Sequence, residues 1–175
     1  MTTSTIWSTN TIHNDLLEAK ELLYDTCNLE CSQPIAEAES ADYGAYTFKI
    51  NNQAVIYRVA KITPTKVGQF VTLWKRSPKG PIAPFEITDD IDLFIVSTRN
   101  GSHFGQFIFP KSILHQKGIL SDDNKVGKRA IRVYPPWDNT TSKQAQKTQQ
   151  WQLDYFVALP RDKPVDLDLI KKLIS

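Results

Sequence analysis

Between Tyr43 and Phe85 this 175-residue chain contains no aspartate or glutamate, although the whole sequence carries 19 of them. Chemistry-bearing side chains are scarce too. There are two cysteines and three histidines. Cys27 and Cys31 lie close together, His13, His103 and His115 are scattered, and the paired Cys/His spacing of a structural zinc site is missing. The thiols are read as free, and no metal site is assigned. No apolar run approaches the ~20 residues that cross a bilayer, so no membrane-spanning helix and no membrane partner are expected. Met1 to Asn10 has neither a basic start nor an apolar centre, which argues against a secretory signal and leaves the cytoplasm as the expected compartment. Walker-loop, dinucleotide-binding and hydrolase-triad patterns are lacking as well, so ATP hydrolysis, hydride transfer and acyl transfer have no signature.

What is present is charge, and it is segregated. The formal net charge is only +2. Yet residues 1–42 hold eight acids and one base, residues 43–85 hold seven bases and no acid, and residues 111–147 hold eight bases and three acids. Such alternation suits a basic groove on an otherwise acidic body. The competing reading is that the acidic first segment simply pairs with the basic strands.

With 41% hydrophobic and 23% charged residues, the chain reads as one domain over residues 1–175, long enough to bury about 70% of its unfolded surface. Ile12, Leu16, Ala19 and Leu23 recur at helical spacing and predict an amphipathic helix over residues 11–26, with Asp15, Glu18, Glu21 and Asp25 on a solvated face. From Gly44 the period becomes that of strands. Residues 45–50 and 54–62 predict a hairpin turned by Asn51-Asn52, and the second strand is apolar on both faces: Val55, Tyr57 and Val59 point one way, Ile56, Ala60 and Ile62 the other. A strand at 69–76, a loop through Pro84, strands at 91–98 and 105–109, a short helix opened by Pro110, a strand at 129–134 and helices at 142–159 and 165–174 complete the pattern. The expected class is α/β (α+β), a single domain with a central mixed sheet flanked by helices.

Arg58 and Lys61 fall in the strand expected to be most buried, where an unpaired cation costs several kcal/mol. Arg58 is read as a structural partner of an acid in the first helix. Lys61, nearer the strand end, is read as opening into a cleft with Lys66. Thr63, Thr65 and Gly68 place hydroxyls and backbone donors beside those two ammonium groups, a turn able to hold a phosphate. Lys75 and Arg76 extend the cationic segment, and Lys128, Arg129 and Arg132 form a second group. Cations near Tyr134 and Trp137 suit nucleic acid, although Trp74, Trp137 and Trp151 are read as core or loop anchors rather than stacking platforms. Glu86, Asp89, Asp90 and Asp92 read as an exposed acidic loop, with Asp90 and Asp92 the candidates if a nuclease needs a Mg²⁺ site.

The stretch Arg58 to Val71 with Trp74-Lys75-Arg76, then Asp89 to Asp92, Gly105 to Lys111, Gly118 to Ser121, Arg132 to Pro135 and Lys147 to Gln152, resembles the MepB-like family of small bacterial proteins, from about Ala45 to Phe156. The resemblance implies a core similar to the PD-(D/E)xK restriction-endonuclease-like superfamily and binding of nucleic acid. With Lys61 at that motif's lysine, Val59 stands where its acid would be, and a metal ligand is lost.

The expected function is therefore nucleic-acid binding, DNA rather than RNA, through Lys61, Thr63, Thr65, Lys66, Lys75, Arg76, Lys128, Arg129 and Arg132, on a nuclease-like scaffold without efficient catalysis and without a cofactor. Two alternatives are kept. One is a metal-dependent nuclease using Lys61 with Asp90, Asp92 or Asp42, the only reading that calls for Mg²⁺. The other is a regulatory protein whose basic strands meet an acidic protein partner.

Overall fold

The computed structural model describes residues 6–175. In chain order, helix α1 (Asn14–Ala19) runs into a π-helical turn (Lys20–Tyr24), followed by β1 (Ile35–Ala36), β2 (Tyr46–Ile50), β3 (Gln53–Val59), β4 (Lys61–Ile62), β5 (Gln69–Thr72), β6 (Trp74–Arg76) and β7 (Ile82–Pro84). Then come β8 (Leu93–Asn100), β9 (His103–Pro110), α2 (Lys111–Gln116), β10 (Ala130–Val133), α3 (Lys143–Gln152), β11 (Phe156–Ala158) and α4 (Leu167–Leu173).

A strand apolar on both faces needs two covers, and β3 has them. It lies inside a six-stranded mixed sheet of order β1-β2-β3-β8-β9-β11, antiparallel except for the parallel pair β3 and β8. On one face Val55, Tyr57, Ile95 and Ile108 pack with Leu16, Leu23, Ile170 and Leu173 from the first and last helices. On the other, Ile56, Phe94, Val96 and Phe107 pack with Val71, Val133 and Leu114. The expected alternation is therefore seen in both layers for Val55 to Ala60, whereas Ile62, expected to be covered, is exposed.

A parallel pair requires a long crossover. Residues 60–92 supply it; on the way β4 and β5 join the later strand β10 in a three-stranded sheet, and β6 and β7 form a hairpin of their own. The strand expected to run from 54 to 62 is broken here. Val59 is the last residue paired with β8, Ala60 N–H donates to Ser97 O at 3.0 Å, and Lys61 is already paired with Phe70 in the small sheet. Similarly the strand expected at 69–76 divides at Leu73, and the expected loop through Pro84 contains β7.

Two buried tyrosines are tied to the sheet by a polar network. Tyr57 OH lies 2.5 Å from Ser97 Oγ, Gln106 Nε2 donates to Ser97 Oγ at 3.0 Å, and Tyr24 OH donates to Gln106 Oε1 at 2.9 Å. Each polar atom taken out of water thus finds a partner, which keeps the network from being a penalty.

The first helix presents only part of its acids to solvent: Glu21 is exposed, but two others are not free. Asp15 and Glu18 both grip Arg99 at the end of β8, and Glu18 also takes Arg161. At the other end of the chain, the helix expected over 142–159 stops at Gln152, and after one turn β11 pairs antiparallel with β9 as the edge of the main sheet. Gly105 makes this possible, because a Cβ there would stand 2.3 Å from the Phe156 ring. Among the described residues no helix is long and apolar enough to cross a membrane.

Candidate functional site

Three cations of the acid-free segment are consumed by acids from outside it. Arg58, only 1% exposed, meets Glu37 at 2.5 Å rather than an acid of the first helix. Burial pulls the Arg58 guanidinium down from its ordinary range, and Glu37 works against that pull. Burial likewise raises Glu37, with Arg58 opposing. Lys75 lies 2.7 Å from Asp89 and 2.8 Å from Glu86. Desolvation draws Lys75 down, but its bonds to Asp89 and Glu86 leave the net shift upward. Arg76 is forked on Glu39 and also donates to Gly80 O. The bond to Glu39 raises Arg76 further. Lys75 and Arg76, expected as phosphate contacts, are thus engaged in holding the β6–β7 hairpin to its neighbours.

Lys61 is exposed, with its Nζ 4.6 Å from the centre of the Tyr43 ring, and Thr65 is exposed in the turn that follows. Thr63 and Lys66 belong to a different construction. Arg132, on β10, reaches across to this turn: its Nη2 donates to Thr63 Oγ1 at 2.9 Å, and its Nη1 to Val67 O at 3.2 Å and Gly68 O at 3.1 Å. Gly68 has a φ of +86°, and a Cβ on it would lie 2.6 Å from the Tyr134 ring. Only glycine serves both demands, the left-handed backbone and the close approach.

Clamping that turn onto β10 forms one wall of an open cleft of about 470 Å³. Lys66, Lys128 and Arg132 line it, together with Lys117 from the end of α2. The opposite side is α3, which contributes Ala145, Thr148, Trp151 and Gln152. Gln152 is 1% exposed and bonds the free edge of β10, its Nε2 donating to Arg132 O at 3.0 Å and its Oε1 accepting from Tyr134 N at 2.9 Å. No carboxylate lines the cleft. None of its four cations forms an ion pair among the described residues.

The two basic groups read from the sequence are therefore brought together through Lys66, Lys128 and Arg132. Lys61, Thr65, Lys75, Arg76 and Arg129 do not line the cleft. Lys117 was not anticipated. Its only local signal is a lysine before Gly118 at a helix end, and it reaches the cleft because Lys128 N–H bonds Ile119 O at 2.9 Å, tying the two segments together.

Of the acids considered for a metal, Asp89 and Asp92 are engaged in structural bonds, and Asp90 and Asp42 stand apart on the surface. Asp92 Oδ2 accepts the Ala54 N–H at 2.8 Å, and Asp89 accepts from Glu86 N as well as Lys75. Asp90 is exposed, and Asp42 is exposed in a short 3-10 turn. No group of three or more His, Cys, Asp or Glu side chains arranged to hold a metal occurs among the described residues. With Val59 two residues before Lys61, these donors do not fit the Mg²⁺ site of a PD-(D/E)xK nuclease.

The sequence profile of the MepB-like family matches residues 37–158, a span that includes the cleft's strands and α3. The chain belongs to the MepB-like family. Its fold is similar to the crystal structure of MepB, with a TM-score of 0.72 and 35% identity over 80% of this chain and 95% of that one. A bacterial homing endonuclease, I-Ssp6803I, aligns with a TM-score of 0.47 and 11% identity over 83% of this chain and 93% of that one. No curated protein matches in sequence. The family resemblance read from about Ala45 to Phe156 is thus established, and the α+β class with a central mixed sheet is the observed one.

Proposed function

We propose that this MepB-like protein binds nucleic acid, DNA before RNA, by holding the phosphate backbone in the cleft between β10 and α3, in the cytoplasm and without efficient cleavage. One observation carries the reading: Lys66, Lys117, Lys128 and Arg132 converge on a cleft that contains no acid. Four cations left unneutralised by the protein repel one another, and a polyanion relieves that repulsion while releasing its own counterions. The commitment of Asp89 and Asp92 to structural bonds supports binding rather than hydrolysis on this nuclease-like scaffold.

Fluorescence anisotropy with labelled oligonucleotides at several salt concentrations tests the proposal. Four phosphate contacts give a logarithmic salt slope of about −3.6 for a duplex or about −2.8 for a single strand. Undetectable or salt-insensitive binding overturns it. Capture of an acidic protein by the same cleft, with no oligonucleotide bound, assigns the site to that partner instead.

A further inference from the structure

A second cleft, of about 360 Å³, lies beside His103 and Trp137 and is walled by Phe104, Pro136, Phe156 and Pro160. Its chemistry is the opposite of the basic cleft. His103, exposed at the start of β9, lies parallel to Trp137, with ring centroids 5.1 Å apart and planes 15° apart. Phe156 abuts Trp137 edge-on at 5.7 Å and 78°, bracing the indole from the sheet side. The result is a layered pair of flat rings, backed by the sheet and bordered by prolines.

We propose that this cleft is a base-stacking site for single-stranded nucleic acid that works together with the nearby basic cleft; the inference rests on the phosphate-binding reading of that cleft. The link is a short one. Tyr134 lines the basic cleft and Trp137 the aromatic one. Three residues of chain span at most about 10 Å. A strand with its phosphates among the lysines would have only a short way to extend to set a base against the rings. Cationic grooves with adjoining aromatic platforms are how sequence-tolerant single-strand binding is built, because every base offers a π-face to an aromatic ring. A paired base inside a duplex has both faces covered by its neighbours and cannot dock here. A proline-rich peptide would suit the aromatic walls but brings no charge to the four cations next door, so charge complementarity favours the polyanion.

The experiment compares three labelled ligands of equal length: a thymidine single strand, a duplex, and a strand with abasic sites that keeps the phosphates and removes the bases. Wild type, His103→Ala and Lys66→Ala are titrated with each. His103 is exposed, so its removal is expected to lower the thermal midpoint only slightly, by the loss of its stacking on Trp137. We expect the intact strand to bind more tightly than the duplex, and His103→Ala to weaken it about tenfold, within the range found for removing one stacking ring. The abasic strand is expected to bind wild type and His103→Ala alike, and Lys66→Ala to weaken all three ligands. If His103→Ala leaves the intact strand unaffected while Lys66→Ala still weakens binding, the stacking site is overturned and the basic cleft stands. Binding of none of the three ligands ends both. A proline-rich peptide whose binding is lost in His103→Ala assigns the cleft to a peptide partner and also overturns the proposal.

Discussion

Gln152 stands beside Arg132 as a substitute for a strand, its single amide pairing with the backbone on either side of Val133 just as a neighbouring peptide would. That side chain ties α3 directly to β10, and Gln149 ties it to Pro135 and Asp138 just beyond, so the two walls of the basic cleft are held together.

Replacing it by leucine keeps the volume but strands Arg132 O and Tyr134 N–H in a partly buried setting. We expect a loss of about 1–3 kcal/mol, the penalty for leaving such groups unpaired. Gln152→Glu should also destabilise, since a carboxylate offers Arg132 O no donor. Urea midpoints check both, and an unchanged midpoint for the leucine variant contradicts the role.

Glu37 and Arg58 should respond asymmetrically. Glu37→Ala abandons a guanidinium that is 1% exposed, whereas Arg58→Met abandons a carboxylate that is 25% exposed and keeps some water. The first is expected to cost about 3 kcal/mol and the second less, because the penalty follows the burial of the charge left behind. Denaturant unfolding of the two variants gives the order directly; the reverse order would mean that the pair is held by Glu37 packing rather than by Arg58 charge.

Lys117 and Lys75 should separate the proposed ligand binding from scaffolding. Lys117→Ala should weaken oligonucleotide binding and flatten the salt slope by about 0.7–0.9, the share of one phosphate contact. Lys75→Ala should leave the slope alone and cost no more than about 1 kcal/mol of stability, as expected for an ion pair still partly in water. Equal effects of both lysines on binding would place the ligand over the β6–β7 hairpin instead of the cleft.

The two thiols are distinguishable by alkylation. Cys31 is buried, and desolvation pushes its thiol up to about 12, whereas the less buried Cys27 is raised by the same cause but stays more accessible. Iodoacetamide at neutral pH should label Cys27 first and Cys31 only on unfolding, as read by mass spectrometry. The linkage has a definite sign. A folded-state value above the unfolded one means that the native state holds the proton longer, so the Cys31 contribution is intact below about pH 9 and is lost as pH rises toward 12. Cys31→Ala should remove that alkaline loss.

Much of the sheet could be read from residue alternation. β2 and β3 flank Asn51-Asn52, β8 and β9 flank Gly101-Ser102, and Val55 and Ile56 do face opposite layers. The boundary between α3 and β11 was hidden because Phe156-Val157-Ala158 is a short apolar run that continues a helical stripe as readily as it forms a strand. Only its pairing with β9 decides. Lys66, Lys128 and Arg132 announced themselves as cations, but their convergence depends on the clamp from Arg132 to Thr63, 69 residues away in sequence. The loss of Arg76 to Glu39, across 37 residues, is equally invisible to local pattern.

The ion pairs of Arg58, Lys75 and Arg76 make the electrostatics of this chain depend on whether it is folded. The segment from Tyr57 to Arg76 carries five cations, but three of them are neutralised in the native state. Unfolded chain would present all five to any polyanion. A partly denatured preparation would therefore adhere to DNA, RNA or heparin through a stretch that the native protein keeps largely satisfied, and its salt slope would be steeper than four contacts allow. Strong non-specific adhesion would then report unfolding, and the weaker, cleft-limited interaction proposed above would report the native protein.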